Sequence, residues 1–312
     1  MNGSFSLKRL IEDFTFEEVY LARNYENVEI TSNELNRPGL QLFGYYRHYV
    51  SDRIQIIGGA EWEFCNDLTP EKRWEVLEPI FESKIPVMIF SRGNPVFKEA
   101  IELAKKYDRT ILASKLNTSP LVNILINYMD DVLAPSMRVH GILLDIYGVG
   151  VLLTGASGVG KSETALDLLG KGHKLISDDT VIIKRMDEKL IGSSPKVTQH
   201  FMEIRGIGII DVQRIFGVGC VMEEEEVELV IHLEQWKEDV SYDRLGEDNE
   251  YGQYLGLEIP LMTIPVKSGR NTSMVVEVAT KTFKLKDLGY NAATALNNRV
   301  LNEIQRRQKN KE

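Results

Sequence analysis

The hydrophobic positions of this chain change period as it proceeds. In "SLKRLIEDF", Leu7, Leu10, Ile11 and Phe14 recur at helical spacing, which predicts a short amphipathic helix over 6–14. "RPGLQLFGYY" reads as turn chemistry followed by an apolar strand. Continuous apolar runs in "RIQIIGG", "PVMIFSRG" and "RTILAS" predict strands, with the helical pattern of "NPVFKEAIELAKKYD" between the last two. Strand alternating with helix predicts an α/β layer with parallel pairing. A further helix is predicted around 120–131. Pro135 in "LAPSMRVHG" then breaks the pattern, and the domain boundary is placed there. The expectation is an N-terminal α/β domain over 1–132 and a second domain over 133–312.

The second domain opens with "ILLDI" and "VGVLLTG", separated by little more than Tyr147-Gly148. Strands this close pair only as an antiparallel hairpin. The second of them therefore has an antiparallel neighbour where a plain doubly wound sheet would have a helix, and a mixed sheet is expected. Further strands are predicted at "KLISDDTVIIKR", "KLIGSSP", "EVELVIHLEQW", "IPLMTIPVKSG" and "MVVEVATKTFKL". An apolar-periodic helix from about 292 to 308 closes the chain, with a basic tail suited to a helix C-terminus. The glutamate run 223–226 is expected to be a solvated face, and His140 is placed in a loop before the hairpin.

Composition narrows the partners. At 312 residues the chain suits two ordinary domains, and 43% hydrophobic with 27% charged residues is a globular balance. A net charge of −9 argues against a general nucleic-acid binder. Cys65 and Cys220 match no metal spacing and read as reduced thiols. The longer apolar runs are broken by Asp145 and by glycines, and "MNGSFSLKRLIEDF" lacks a signal peptide's apolar stretch. A soluble, cytoplasmic protein with no membrane or nucleic-acid partner is expected.

The chemistry begins at "GASGVGKS". Gly155, Ala156, Ser157, Gly158, Val159, Gly160, Lys161 and Ser162 fit G-x-x-x-x-G-K-[ST], preceded by a strand and followed by a helical pattern. In such a turn the backbone N–H groups point at phosphate oxygens, the lysine reaches the β- and γ-phosphates and the serine ligates Mg²⁺. Eighteen residues beyond Lys161, a short strand ends in Asp178-Asp179. Carboxylates there suit either Mg²⁺ or a proton taken from an attacking hydroxyl. Glu203 and Arg205 in "MEIRGIGIID" offer a further carboxylate and a cation beside permissive glycines. Arg244 in "YDRLGED" is a candidate for stabilising a transferring phosphoryl group, and "PVKSGRN" is a basic loop able to hold an anion. Besides a non-enzymatic ATP-sensing module coupled to a partner, two enzyme alternatives remain on these residues alone. One is a small-molecule P-loop kinase, which lacks here the expected arginine-rich lid. The other is an NTP-hydrolysing switch, to which "DRLG" gives only a superficial match without an N-K-x-D motif.

Taken in order, "RPGLQL", "GASGVGKSE", "SDDTV", "MEIRGIGIIDV" and "PVKSGRN" strongly resemble the bacterial HPr kinase/phosphorylase family along nearly the whole chain. The resemblance implies a bifunctional enzyme that phosphorylates a serine of the carrier protein HPr with ATP or pyrophosphate. It also removes that phosphate by attack of inorganic phosphate, forming pyrophosphate, in bacterial carbon catabolite regulation. It implies a P-loop catalytic domain similar to phosphoenolpyruvate carboxykinase, an N-terminal domain similar to that of Mur ligases, and a homohexamer. Carried onto this sequence, Asp179 is the general base and acid, with His140, Lys161 and Arg244 as catalytic companions, and Ser162 and Glu203 hold Mg²⁺. Met202, Glu203, Ile204, Arg205, Gly206, Ile207, Gly208, Ile209, Ile210 and Asp211 would serve both reactions. Pro265, Val266, Lys267, Ser268, Gly269 and Arg270 would serve dephosphorylation.

Overall fold

The computed structural model describes residues 3–238, 250–267 and 269–309. The chain divides into two compact units, 1–135 and 136–312.

In the first unit, β1 (Phe5–Ser6) runs into α1 (Leu7–Asp13), where the Ser6 hydroxyl caps the helix by accepting from Arg9 N. The short strands β2 (Glu17–Tyr20), β3 (Glu29–Ile30) and β4 (Leu35–Asn36) follow. The strand expected after "RPG" is instead a helical turn, α2 (Gly39–Leu42). Pro38 starts that turn, Leu42 is buried, and Leu40 and Phe43 are exposed, so the apolar run is split between core and solvent.

β5 (Ile54–Ile57), β6 (Val87–Phe90) and β7 (Thr110–Ala113) are buried at every position. Continuous apolar runs require this, because such strands must be covered on both faces. α3 (Gly59–Asn66), α4 (Pro70–Glu82) and α5 (Lys98–Tyr107) cover one face through Cys65, Phe81 and Leu103. α1 and α6 (Thr118–Leu133) cover the other through Leu10, Leu125 and Met129. The periodicity assigned no helix to α4, although Thr69 accepts from Lys72 N and Pro70 opens the helix. The strand order is β2-β7-β6-β5-β4, parallel from β4 to β7, with β2 antiparallel at the edge.

The second unit begins with β8 (Ser136–His140), which makes His140 the end of a strand rather than a loop residue. β9 (Ile142–Asp145) and β10 (Gly150–Gly155) form the expected hairpin, Asp145 opposite Gly150. After α7 (Lys161–Gly170) come β11 (Lys174–Ser177), β12 (Thr180–Met186) and β13 (Lys189–Ser193). β14 (Phe201–Ile204) and β15 (Gly208–Asp211) make a second hairpin, followed by α8 (Val212–Phe216). The glutamate run is not simply a solvated face, because β16 (Glu224–Glu226) pairs along β13 and half-buries Glu225 and Glu226. β17 (Leu229–Gln235), β18 (Glu250–Tyr254) and β19 (Leu257–Val266) complete a six-stranded sheet of order β11-β9-β10-β17-β19-β18. It is mixed: β10, β17 and β19 are parallel, and β9, β11 and β18 run antiparallel to their neighbours.

One face of this sheet packs against α7 and α9 through Leu153, Leu168, Ile231 and Val276. Its other face meets the antiparallel sheet β16-β13-β12-β8 through Leu152, Val181 and Val230. "MVVEVATKTFKL" is helix, not strand: it lies in α9 (Thr272–Asp287). Asn271 caps this helix by accepting from Met274 N, and Ser273, Val276 and Thr280 recur at three- and four-residue steps on its buried side. The β-branched composition is outweighed by the cap and by that face. α10 (Ala292–Lys309) closes the chain. Among the described residues no helix is long and apolar enough to cross a membrane.

Candidate active site

The parallel strand β10 delivers Gly155 to its end with φ +140°, where a Cβ would lie 2.3 Å from Leu233 O of the neighbouring β17. Only glycine permits that approach. Val159 turns inward and is buried in the core, and Gly160, with φ +102°, swings the chain into α7. Lys161 and Ser162 are thus the first residues of the helix, and among the described residues no side chain caps its N-terminus. The early N–H groups of such a helix, with the dipole behind them, suit an anion. Lys161 is buried, and its Nζ donates to Gly155 O at 2.8 Å and Ala156 O at 3.2 Å, which folds it across the turn.

The two aspartates after β11 have different surroundings. Asp179 is exposed in a left-handed conformation, φ +62°, and its carbonyl accepts from Gly141 N at 3.0 Å. The β12–β8 register sets Thr180 opposite His140, so His140 Nδ1 comes within 3.1 Å of Asp179 Oδ1. Asp178 turns the other way, and its Oδ2 accepts from Glu203 N at 2.9 Å. Burial pushes the Asp178 carboxyl above its ordinary range, against the opposing pull of the Glu203 and Asp179 N–H groups. Asp178 ties the β14–β15 hairpin to the end of β11, while Asp179 faces solvent beside an imidazole.

That tie brings the hairpin to the phosphate turn. Arg205 Nη1 lies 3.4 Å from where a Gly158 side chain would begin. One cleft is lined by His140, Ser157, Gly158, Gly160, Lys161, Ser162, Asp178, Asp179, Glu203 and Arg205, with Ile142 and Glu163. Glu163 directly follows the lysine–serine pair and was legible from the motif; Ile142 carried no sequence signal.

The remaining candidates do different work. Met202 and Ile204 are buried in the core, Gly206 and Gly208 take positive φ in the hairpin turn, and Ile207 and Ile209 are exposed. Ile210 packs against the core, and Asp211 caps α8 by accepting from Arg214 N. Pro265 and Val266 end β19, Lys267 Nζ stands over the Trp236 ring at 5.6 Å, and Arg270 Nη1 donates to Pro265 O. Among the described residues this segment does not line the cleft. Arg244 and Ser268 lie outside the described residues.

Ser162, Asp178, Asp179 and Glu203 make the cleft rich in oxygen donors. Among the described residues no cluster of three or more His, Cys, Asp or Glu is assembled to hold a metal by itself. Such a donor set fits a hard divalent cation that takes much of its shell from water and phosphate. Together the elements can hold a polyphosphate, place a base near its terminal group and return a proton afterwards.

Two family models match the chain: "HPr Serine kinase N terminus" over residues 5–129 and "HPr Serine kinase C-terminal domain" over 131–300. The HPr kinase/phosphorylase of Caldanaerobacter subterraneus subsp. tengcongensis is 46% identical over 300 residues, 96% of this chain and 98% of the relative. That of Clostridium acetobutylicum is 42% identical over 279 residues, 89% and 91% of the two chains. The solved HPr(Ser) kinase/phosphatase of Coxiella burnetii is 35% identical with a TM-score of 0.47, covering 51% of this chain and 98% of that one.

Proposed function

The chain belongs to the HPr serine kinase family, and on that premise we propose that it is a bifunctional HPr kinase/phosphorylase. It transfers the γ-phosphoryl group of ATP to a serine of HPr, and it removes that group by attack of inorganic phosphate, releasing pyrophosphate. The observation that carries this reading is Asp179: an exposed carboxylate beside His140, in the same cleft as Lys161 and the phosphate turn.

A serine hydroxyl is not ionised at neutral pH, so a base must take its proton as the bond to phosphorus forms. Asp179 accepts that proton, and His140 orients the carboxylate. In reverse, the protonated Asp179 returns the proton to the departing serine oxygen while phosphate attacks in place of water. Lys161 and the α7 N-terminus hold the phosphates in both directions, and Arg205 adds positive charge from the hairpin. Ser162 and Glu203 would hold Mg²⁺, which neutralises phosphate charge when bound. Arg244 is proposed as a further companion. Pro265–Lys267 and Gly269–Arg270, with Ser268, are proposed to serve the phosphate-dependent direction.

The finer architectural readings belong to the same proposal. A catalytic domain over 133–312 similar to phosphoenolpyruvate carboxykinase is supported by the β9–β10 hairpin ahead of the phosphate turn. An N-terminal domain over 1–132 similar to that of Mur ligases is supported by its parallel sheet. A homohexamer in the cytoplasm completes the reading. Incubation with ATP, Mg²⁺ and HPr tests it: label must appear on an HPr serine and leave, with pyrophosphate released, on adding phosphate. ATP turnover without labelled HPr overturns the proposal in favour of a hydrolytic switch.

A further inference from the structure

Away from the cleft, a polar cluster joins the far end of α7 to the start of α9. Ser273 is buried, and its Oγ accepts from Lys171 Nζ at 2.8 Å. Its single hydrogen has two acceptors in reach, the Asp167 carboxylate and Asn271 Oδ1 at 2.8 Å. Asn271 Oδ1 already accepts from Met274 N as the cap of α9, so the charged Asp167 is the stronger claimant. One turn further along α9, Glu277 accepts from Tyr147 OH at 2.6 Å and Lys171 Nζ at 3.0 Å, with His173 Nε2 at 3.2 Å. Tyr147 belongs to the β9–β10 turn, and its carbonyl accepts from Lys284 Nζ.

These contacts have a particular geometry. α7 starts at the phosphate turn, and β10 ends in it; the cluster grips the opposite ends of both. α9 begins directly after the basic loop, whose other end is fixed where β19 pairs with β17 and Trp236 N donates to Val266 O. The N-terminus of α9 is therefore the end of that loop that no strand ladder holds among the described residues, and side chains hold it instead.

We infer that Asp167 and Ser273 are positioning residues that hold Lys267 and Arg270 in fixed relation to the phosphate-binding helix, and so set the affinity for the attacking phosphate. The inference rests on the phosphorolytic reading of that loop. The kinase direction should change much less, because the Asp167–Ser273 contact lies at the end of α7 away from the phosphate turn.

The test uses the full chain and HPr, with steady-state kinetics in both directions for Asp167→Ala, Ser273→Ala, the double variant and Ser273→Thr. Each alanine variant is expected to raise the KM for phosphate in dephosphorylation about tenfold. In the kinase direction kcat and the KM for ATP should stay within about twofold. The double variant should be no worse than the more impaired single one, as for two ends of one contact. Ser273→Thr, which keeps the hydroxyl, should restore the phosphate KM. An unchanged phosphate KM, or equal losses in both directions, overturns the inference. Hydrogen exchange of amides 269–275 without substrates is the second readout, and it must quicken in both alanine variants. If wild type does not act on HPr, the activity reading fails by itself. The exchange measurement then still decides the tie, and unchanged exchange overturns it.

Discussion

Each unit contains a strand, a glycine turn and a helix in immediate succession, and the two are finished in opposite ways. In the first unit β5 runs through Gly58 into α3, whose third residue, Glu61, folds back so that Oε2 accepts from Gly58 N at 3.1 Å. Arg37 Nη2 then pairs with the same carboxylate oxygen at 2.9 Å. In the second unit β10 runs through a longer turn into α7, whose third residue is also a glutamate, Glu163. Here, among the described residues, no side chain caps the helix, Glu163 lines the cleft, and Lys161 lies across the turn. The lesson is one of charge. A helix start that satisfies itself with its own carboxylate has no use for an external anion. One that leaves its N–H groups uncapped and adds a lysine is built to receive one.

The comparison can be broken most severely at the cleft. Asp179→Asn should lower turnover about 100- to 10,000-fold in both directions, the range of a lost general base. Nucleotide affinity, read by calorimetry, should be little changed. Near-normal kinase turnover in this variant would move the base to another residue. A smaller effect separates the two helix starts. Glu61→Ala should cost about 1 kcal/mol of stability, the usual value of a lost cap. Glu163→Ala should stay within about 0.5 kcal/mol, since it caps nothing. Denaturant titration of both variants decides this, and equal losses would erase the distinction.

The smallest effect concerns Asp178. Because burial raises its carboxyl above the ordinary value of 3.8, the folded state binds that proton more tightly than the unfolded chain. Stability from this group is therefore present at low pH and lost as pH rises through the folded value. Asp178→Asn keeps an acceptor for Glu203 N without the charge. Its melting temperature should exceed that of wild type at pH 7, and the difference should vanish below the ordinary carboxyl value. A lower melting temperature at pH 7 would mean that the charge itself supports the hairpin.

The sequence made the cleft more legible than its surroundings. The phosphate turn, the aspartate pair and the hairpin before them are local, and each depends on neighbours only a few residues away. The division of labour between Asp178 and Asp179 was not legible, because it depends on Glu203 and His140 arriving from distant strands. α9 was misread because valines and threonines favour strands on average, whereas the Asn271 cap and the Val276–Thr280 spacing carried the true signal. The Pro38 turn was misread because an apolar run gives no sign of being shared between core and solvent.

The β9–β10 hairpin has a consequence for the order in which the molecule forms. Val151 faces Leu144, seven residues away along the chain, on one side and Leu229, 78 residues away, on the other. Closing the short loop costs far less entropy than closing the long one, and hairpins form in about 1–10 μs. The strand that bears the phosphate turn thus has a partner before β17 has been synthesised. The hairpin is thus the local step of this sheet's formation, and β17 and β19 add to an edge whose first pairing needs no distant residue.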